Sequence, residues 1–406
     1  MIEACDVLVV GAGPAGLAAA TRLRERGLGT VVVIDRDPLP GGIPRHCGHS
    51  PFGMREFARI LTGPAYAQAL ADRARKAGVE LRLATTLVGI DRGQPLVATV
   101  TSDAGMARLM PQRILLATGV RETPRSARLI GGDRPLGVMT TGALQLLAER
   151  GLSPFRRPVI VGSELVALSA LLTCRSIGAR PVAMIEADER PTTRRPFLLL
   201  PRLLGVPVRY GAALARIEGV SRVEAVTLDH ADGAMERLAC DGVVLTGRFT
   251  PEATMVRAAG LEIDPGTRGP SIDQLGRTSD RRVLAAGNLL HPVETAGRCW
   301  AEARMIADGL ADDLLGSSQG HETPVEVQAG PGIAYVVPQR LAGSAPGMGR
   351  LQIRVGGARN GRIVVGTDDG QVAARPRARL LPERRIDMAI PALAEGVRRL
   401  RVGIEE

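Results

Sequence analysis

The amino-acid sequence predicts an α/β protein with two doubly wound domains, the second inserted in the first, and a small β domain at the C-terminal end. Three observations carry this expectation. An apolar strand runs into a glycine turn and a helix at Asp6 to Gly16, the same strand-turn-helix unit recurs from Pro158, and short alternating runs punctuated by Gly, Ser and Pro follow Gly316. The expected boundaries are 1–122 together with 270–320 for the first domain, 123–269 for the second and 321–406 for the third.

The first unit, Asp6-Val-Leu-Val-Val-Gly-Ala-Gly-Pro-Ala-Gly16, has the glycine spacing of a dinucleotide cradle. Gly11 permits the tight turn, Gly13 lets backbone approach a pyrophosphate, and Gly16 lets the next helix pack on its strand. That helix is expected from Pro14 to Arg26, with Pro14 and Ala15 in its first turn, where unpaired amides and the positive dipole end favour an anion. Thr30-Val-Val-Val-Ile-Asp35 adds a second apolar strand, and its terminal carboxylate lies about 20 residues downstream, where ribose hydroxyls are held.

From Arg36 to His49 the chain is too rich in Gly and Pro for regular structure. Long loops inside compact domains usually have a task. Gly41 and Gly42 would let backbone lie close to a flat ligand, while Arg45 and His46 offer charge and a titratable hydrogen bond. Arg36 joins the candidate cofactor-binding residues. His46, Cys47 and His49 are metal-ligand types, but residues so close together do not share one tetrahedral ion without a distant partner, so no metal is expected.

A helix is expected over Gly63 to Ala77, a strand over Val79 to Ala84, and a small antiparallel meander over Leu96 to Met110. Arg113 to Gly119 is another buried strand, closing on Ala117-Thr118-Gly119. In the second unit the strand Pro158 to Gly162 precedes a helix over Leu165 to Ile177, and the strand Pro181 to Ile185 again ends in a carboxylate, Glu186. Its meander is expected at Val223 to Asp229 and Leu238 to Leu245. Arg282 to Asn288 repeats the strand-to-glycine pattern, a helix runs from Thr295 to Leu315, and the β domain begins near Glu322. The second glycine turn departs from its pattern: Gly162-Ser-Glu-Leu-Val-Ala167 has Glu164 where the middle glycine lets backbone meet the pyrophosphate.

Composition narrows the function classes. The 406 residues carry a formal charge of +10, but the arginines are dispersed and aromatics are only 2%, which leaves few stacking platforms for nucleic acid. A basic face for an acidic partner protein or an anionic substrate fits better. The five cysteines are scattered without a C-x-x-C pair, so neither a zinc site nor a disulfide framework is expected, and a reducing compartment fits. No apolar run reaches the roughly 18 residues of a membrane span. The N-terminus reads as a strand without a leader, and a cytoplasmic location is expected.

Together these pieces resemble the two-dinucleotide-domain flavoproteins that include thioredoxin reductase, glutathione reductase and NADH oxidases. The resemblance covers roughly residues 4 to 316. It rests on Gly11-x-Gly13-x-x-Gly16 with Asp35, on Ala117-Thr118-Gly119, on Thr246-Gly247-Arg248, and on Ser271-Ile-Asp273 followed by Arg277-Thr278-Ser279 and Ala286-Gly287-Asn288. Arg121-Glu122-Thr-Pro124 and Gly137 to Ala143 look like the linker of the FAD subunits of opine oxidase, hydrogen cyanide synthase and sarcosine oxidase α. The resemblance implies FAD in the first domain, with Gly287-Asn288 where the family has Gly-Asp, and a nicotinamide-type second domain in which Glu164 makes NAD(P)H binding doubtful. It also implies that the partner is a second dehydrogenase subunit, and that the substrate is a small molecule.

Near the flavin ring the resemblance places Gly42, Arg45, His46 and Cys47, with Glu294 and Thr295 at the start of the last helix, whose positive end would stabilise a reduced, anionic flavin. Arg45, His46 and Cys47 are the candidate catalytic residues. The leading expectation is an FAD-dependent oxidoreductase subunit for an amine, imino acid, opine or polyol phosphate. Two alternatives stay open: a single-cysteine NAD(P)H oxidase or peroxidase working through a sulfenic acid at Cys47, and a flavin-binding scaffold without turnover.

Overall fold

The computed structural model describes residues 2–316, 324–342, 347–394 and 396–406. Glu322 and the expected boundary at 320/321 lie outside the described residues.

The strands Glu80–Arg82, Val31–Ile34, Ile2–Val10 and Gly105–Leu116 form a parallel sheet in that order, and Val283–Ala285 extends it alongside Gly105–Leu116. Val7, Leu8, Val9, Val33 and Leu115 are fully buried. Such unbroken apolar strands suit a parallel sheet with both faces covered. The helices Pro14–Glu25, Gly63–Lys76 and Ala296–Leu314 supply its helical layers. Gly105–Leu116 also pairs antiparallel, through its first half, with Val97–Ser102, which pairs in turn with Thr86–Asp91. The expected meander and the expected strand after it thus share one continuous strand.

The second parallel sheet runs Val208–Arg209, Ala183–Ile185, Pro158–Val161, Gly242–Leu245, Val138–Thr140. A smaller sheet orders Met235–Ala239, Ala225–His230, Ala212–Glu218 and Gly131–Gly132. Two details depart from expectation. The run Leu238 to Leu245 is two strands, because Asp241 takes the backbone N–H groups of Arg156 and Arg157 at 2.8 and 2.6 Å and so fixes a turn. Part of the linker at Gly137 to Ala143 is helical, since Thr141–Glu149 is capped by Thr140, whose hydroxyl accepts the Ala143 N–H at 3.5 Å. The chain leaves the first sheet along Val120–Glu122 and returns along Phe249–Pro251, and those two strands pair antiparallel.

Among its described residues the C-terminal region forms strands and no helix. One of its sheets orders Arg340–Leu341, Val325–Ala329, Arg399–Glu405, Arg359–Thr367 and Gly370–Ala374, and the other Ile333–Val337, Arg350–Val355 and Ile386–Ala389. Between them lies a core that includes Val327, Val336, Leu351, Ile363 and Leu400. Among the described residues no helix is long and apolar enough to cross a membrane.

Candidate functional site

The first cradle is assembled by close packing that only glycine allows. Gly11 has φ +110°, and a Cβ there would stand 2.4 Å from the Ala117 carbonyl oxygen; a Cβ on Gly16 would stand 1.8 Å from the Gly11 oxygen. Gly13 differs: a Cβ there would meet nothing nearer than Gly42 Cα at 4.0 Å. The space in front of Gly13 is therefore open, and the helix it begins has no side-chain cap on its first-turn amides. An uncapped helix N-terminus facing open space is what a pyrophosphate requires. Asp35 closes the far side, accepting the Ala12 N–H at 2.6 Å and the Asp37 N–H at 2.9 Å. Burial pushes its carboxyl above the usual range, and the two amides partly offset this. Arg36 is exposed.

Ala117-Thr118-Gly119 and Gly287 arrive at the same edge of the sheet. Thr118 donates to the Glu252 carbonyl at 2.8 Å, and a Cβ on Gly287 would stand 2.7 Å from Ala15 Cβ in the first turn of the cradle helix. Pro14 opens that helix, and Gly42, at φ +60° and ψ −150°, lies over it in a conformation that essentially only glycine adopts. Gly11, Gly13, Pro14, Ala15, Gly16, Asp35, Gly42, Ala117, Thr118, Gly119 and Gly287 thus come together at this edge of the sheet. Arg45 Nε is buried without a partner among the described residues, a donor left over beside this cradle.

Arg45, His46 and Cys47 lie on a short 3-10 turn and its cap; Arg45 Nη2 stays within the first domain, 3.4 Å from Asp37 Oδ2, while His46 and Cys47 reach the second. His46 Nδ1 bonds Glu149 Oε2, while its Nε2 is 3.0 Å from Arg45 Nη2. Cys47 Sγ is 3.7 Å from Gln145 Oε1, and Gln145 Nε2 donates to Ser169 Oγ at 2.8 Å. His49 Nε2 meets the same hydroxyl at 2.5 Å. The loop is therefore a strut between domains. Burial pushes the Cys47 thiol up to about 11, the reverse of what a reactive thiolate needs.

Asn288 spends its amide on the loop ahead of the last helix, with Oδ1 accepting the Glu294 N–H at 2.7 Å and Nδ2 donating to the Glu294 carbonyl at 3.2 Å. Thr295 is the N-cap of Ala296–Leu314 and makes no side-chain cap bond. Val293, β-branched, has φ +71°. A β-branched residue in that region is strained, which marks a loop shaped for something other than its own stability.

The second cradle is filled from within. Gly162 has φ +132°, and a Cβ there would stand 2.1 Å from Thr246 Oγ1 and 2.5 Å from Glu164 Oε2, while a Cβ on Gly247 would stand 2.8 Å from Glu164 Oε1. The carboxyl thus lies across the glycine turns at the ends of two neighbouring strands, where a pyrophosphate would rest. Burial pushes Glu164 above the usual carboxylate range. At the ribose position the Ser163 hydroxyl bonds Glu186, and the Asp188 N–H reaches its other oxygen at 3.1 Å, much as Ala12 and Asp37 engage Asp35 in the first cradle. Arg190, on the following loop, is held by Glu383 of the C-terminal region at 2.9 and 3.2 Å. Ser163, Arg190 and Glu383 went unread in the sequence, because nothing short-range marks a pair 193 residues apart.

All five cysteines are free and buried. Among the described residues no group of three His, Cys, Asp or Glu side chains is placed to hold a metal ion.

The family model described as pyridine nucleotide-disulphide oxidoreductase matches residues 5–305. An opine oxidase subunit of Agrobacterium tumefaciens (strain Ach5) is 28% identical over 357 residues, covering 79% of this chain and 68% of that protein. The alpha subunit of sarcosine oxidase from Rhizobium meliloti (strain 1021) is 30% identical over 269 residues, which is 61% of this chain but 24% of that protein, so the chain spans about a quarter of that relative's length. The solved structure of T. acidophilum thioredoxin reductase aligns with a TM-score of 0.65 at 19% identity, over 77% of this chain and 99% of that one, a likeness of fold.

Proposed function

The chain belongs to the pyridine nucleotide-disulphide oxidoreductase family and is an oxidoreductase with FAD as cofactor; from that premise we propose that it is the flavin-bearing subunit of a heteromeric dehydrogenase whose electrons leave without NAD(P)H. The observation that carries this reading is the contrast between the two cradles, open before Gly13 and filled by Glu164 behind Gly162. Two relatives bear names of subunits, of opine oxidase and of sarcosine oxidase. The substrate class that fits is a small amine, imino acid, opine or polyol phosphate.

FAD, when bound, supplies the hydride and two-electron chemistry. The protein's part is position and electrostatics. The amides that begin the first helix would hold the pyrophosphate, Asp35 the ribose, and the glycine pair at Gly41 and Gly42 would let the loop lie against the ring. The uncapped N-terminus at Thr295 would favour negative charge on the reduced form. His46 accepts from Arg45 Nη2 through Nε2 and donates to Glu149 through Nδ1, so both ring nitrogens are engaged in holding the loop. The single-cysteine peroxidase reading is less favoured, since burial raises the Cys47 thiol.

The test is to purify the chain with the products of adjacent reading frames and screen amines, imino acids, opines and polyol phosphates for anaerobic bleaching of the flavin. Bleaching by one class with reoxidation through a quinone-like acceptor supports the proposal. Bleaching by no class, with FAD bound, counts against it.

A further inference from the structure

The C-terminal β region holds no residue that this function uses, yet one of its faces is built around two carboxylates of the first domain. Gln352 and Arg354 stand two apart on the strand Arg350–Val355 and so share a face. The antiparallel register Gln352↔Asp387 and Ile353↔Ile386 brings Arg385 opposite Arg354. Like charges opposite one another on neighbouring strands repel. Two carboxylates relieve this: Asp387 Oδ1, in the neighbouring strand, is 2.9 Å from Arg385 Nε, and Glu294 Oε1, from outside the sheet, is 3.1 Å from Arg354 Nη2 and 3.7 Å from Arg385 Nε, with 5% of the Glu294 side chain exposed. Arg298 Nη1 holds its other oxygen at 3.3 Å. Beside them Gln352 donates to Glu302 Oε2 at 2.8 Å and accepts from Arg385 Nη1 at 2.9 Å.

Both carboxylates act on the cradle. Glu302 is buried in the last helix, pairs with His291 Nε2 at 3.0 Å and accepts the Gly287 N–H at 3.0 Å. Burial alone would raise its carboxyl, but His291, Gln352 and Gly287 together hold it below the usual range. Gly287 in turn packs on Ala15 at the phosphate end of the cradle. Glu294 carries the backbone to which Asn288 is tied. Removing one partner of a buried ionic set leaves a charge without compensation, a strongly unfavourable state.

Resting on the reading that FAD occupies the first cradle, we propose that Gln352, Arg354 and Arg385 are positioning residues for the cofactor, which make the C-terminal β region a working part of the flavin site. They fix the Gly287 amide through Glu302 and hold the segment from Asn288 to Thr295 through Glu294. They also neutralise Glu294, which would otherwise set negative charge beside the helix end that favours a reduced, anionic flavin.

The test compares Arg354→Gln with Arg385→Gln combined, the same pair with Glu294→Gln added, and Arg362→Gln, which breaks the surface pair with Glu405 elsewhere in the region. FAD dissociation is measured by fluorescence titration of the apoprotein, and the flavin potential by equilibration with reference dyes. The double arginine variant should bind FAD at least tenfold more weakly and show a more negative potential. Adding Glu294→Gln should bring both back toward wild type, a rescue that simple loss of packing would not give, and Arg362→Gln should match wild type. Affinity within twofold and an unchanged potential in the double variant would overturn the proposal. Should that variant not accumulate folded, Gln352→Met removes the bonds to Glu302 and Arg385 and the weak one to Met348 Sδ, and unchanged FAD affinity there would overturn it equally. Wild-type protein that takes up no FAD would overturn the functional reading itself, before any variant is compared.

Discussion

Glu164 folds its carboxylate back over Gly162, so that a Cβ on that glycine would stand 2.5 Å from Glu164 Oε2. Two consequences follow for a nucleotide phosphate approaching the turn. A charged Glu164 at about 4 Å would repel each unit of phosphate charge by roughly 4 kcal/mol at an effective dielectric near 20. A neutral Glu164 would still occupy the volume.

The raised carboxyl of Glu164 gives a pH dependence with a definite sign. A folded-state pKa above the unfolded value of 4.5 means the native protein holds the proton more tightly, so stability from this group is present below pH 4.5 and is lost as pH rises toward the folded value. Glu164→Gln removes that loss, at about 1.4 kcal/mol per pKa unit of elevation. Thermal unfolding from pH 4 to 8 should show the variant gaining on wild type as pH rises above 4.5; a constant difference across that range would mean that Glu164 is not held as described.

Glycine substitutions should separate ligand space from packing space. Gly13→Glu should fold and lose FAD, because the new side chain enters only the open space before the cradle. Gly16→Ala should fail earlier, by unfolding, since its Cβ would stand 1.8 Å from the Gly11 carbonyl oxygen. A folded Gly13→Glu protein with stoichiometric FAD would contradict the assignment.

Cys47 should be slow to react. With its thiol raised to about 11, only about 0.1% is thiolate at pH 8, against about a quarter for an ordinary thiol. Iodoacetamide should modify Cys47 on the order of a hundredfold more slowly than free cysteine, read by mass spectrometry, and Cys47→Ser should keep most of the turnover. Rapid alkylation together with an inactive serine variant would restore the sulfenic-acid reading.

The first cradle was legible because its signals are local. Gly11, Gly13, Gly16 and Asp35 stand in one strand-turn-helix-strand passage, and the geometry each needs is set by neighbours in sequence. The split at Asp241-Gly242 was legible in principle, since Asp-Gly inside an apolar run marks a turn, but the run Leu238 to Leu245 hid it. Other features were not readable. Cys47, His46 and His49 look like flavin-loop chemistry by type, and only the fold shows them reaching Gln145, Glu149 and Ser169 about a hundred residues away. Gln352 and Arg385 sit in a strand and beside one, with nothing to mark the carboxylates 50 and 91 residues earlier that they serve.

The central claim is that the first cradle carries the redox cofactor while the second no longer admits a nicotinamide nucleotide. Anaerobic mixing of the FAD-loaded protein with excess NADH and then NADPH, followed at the flavin absorption band with Glu164→Gly alongside, tests it most directly. The account predicts a wild-type band that stays unbleached at micromolar nucleotide and a variant that responds at lower nucleotide concentration than wild type. Rapid bleaching of the wild-type protein by micromolar NADH or NADPH would contradict it.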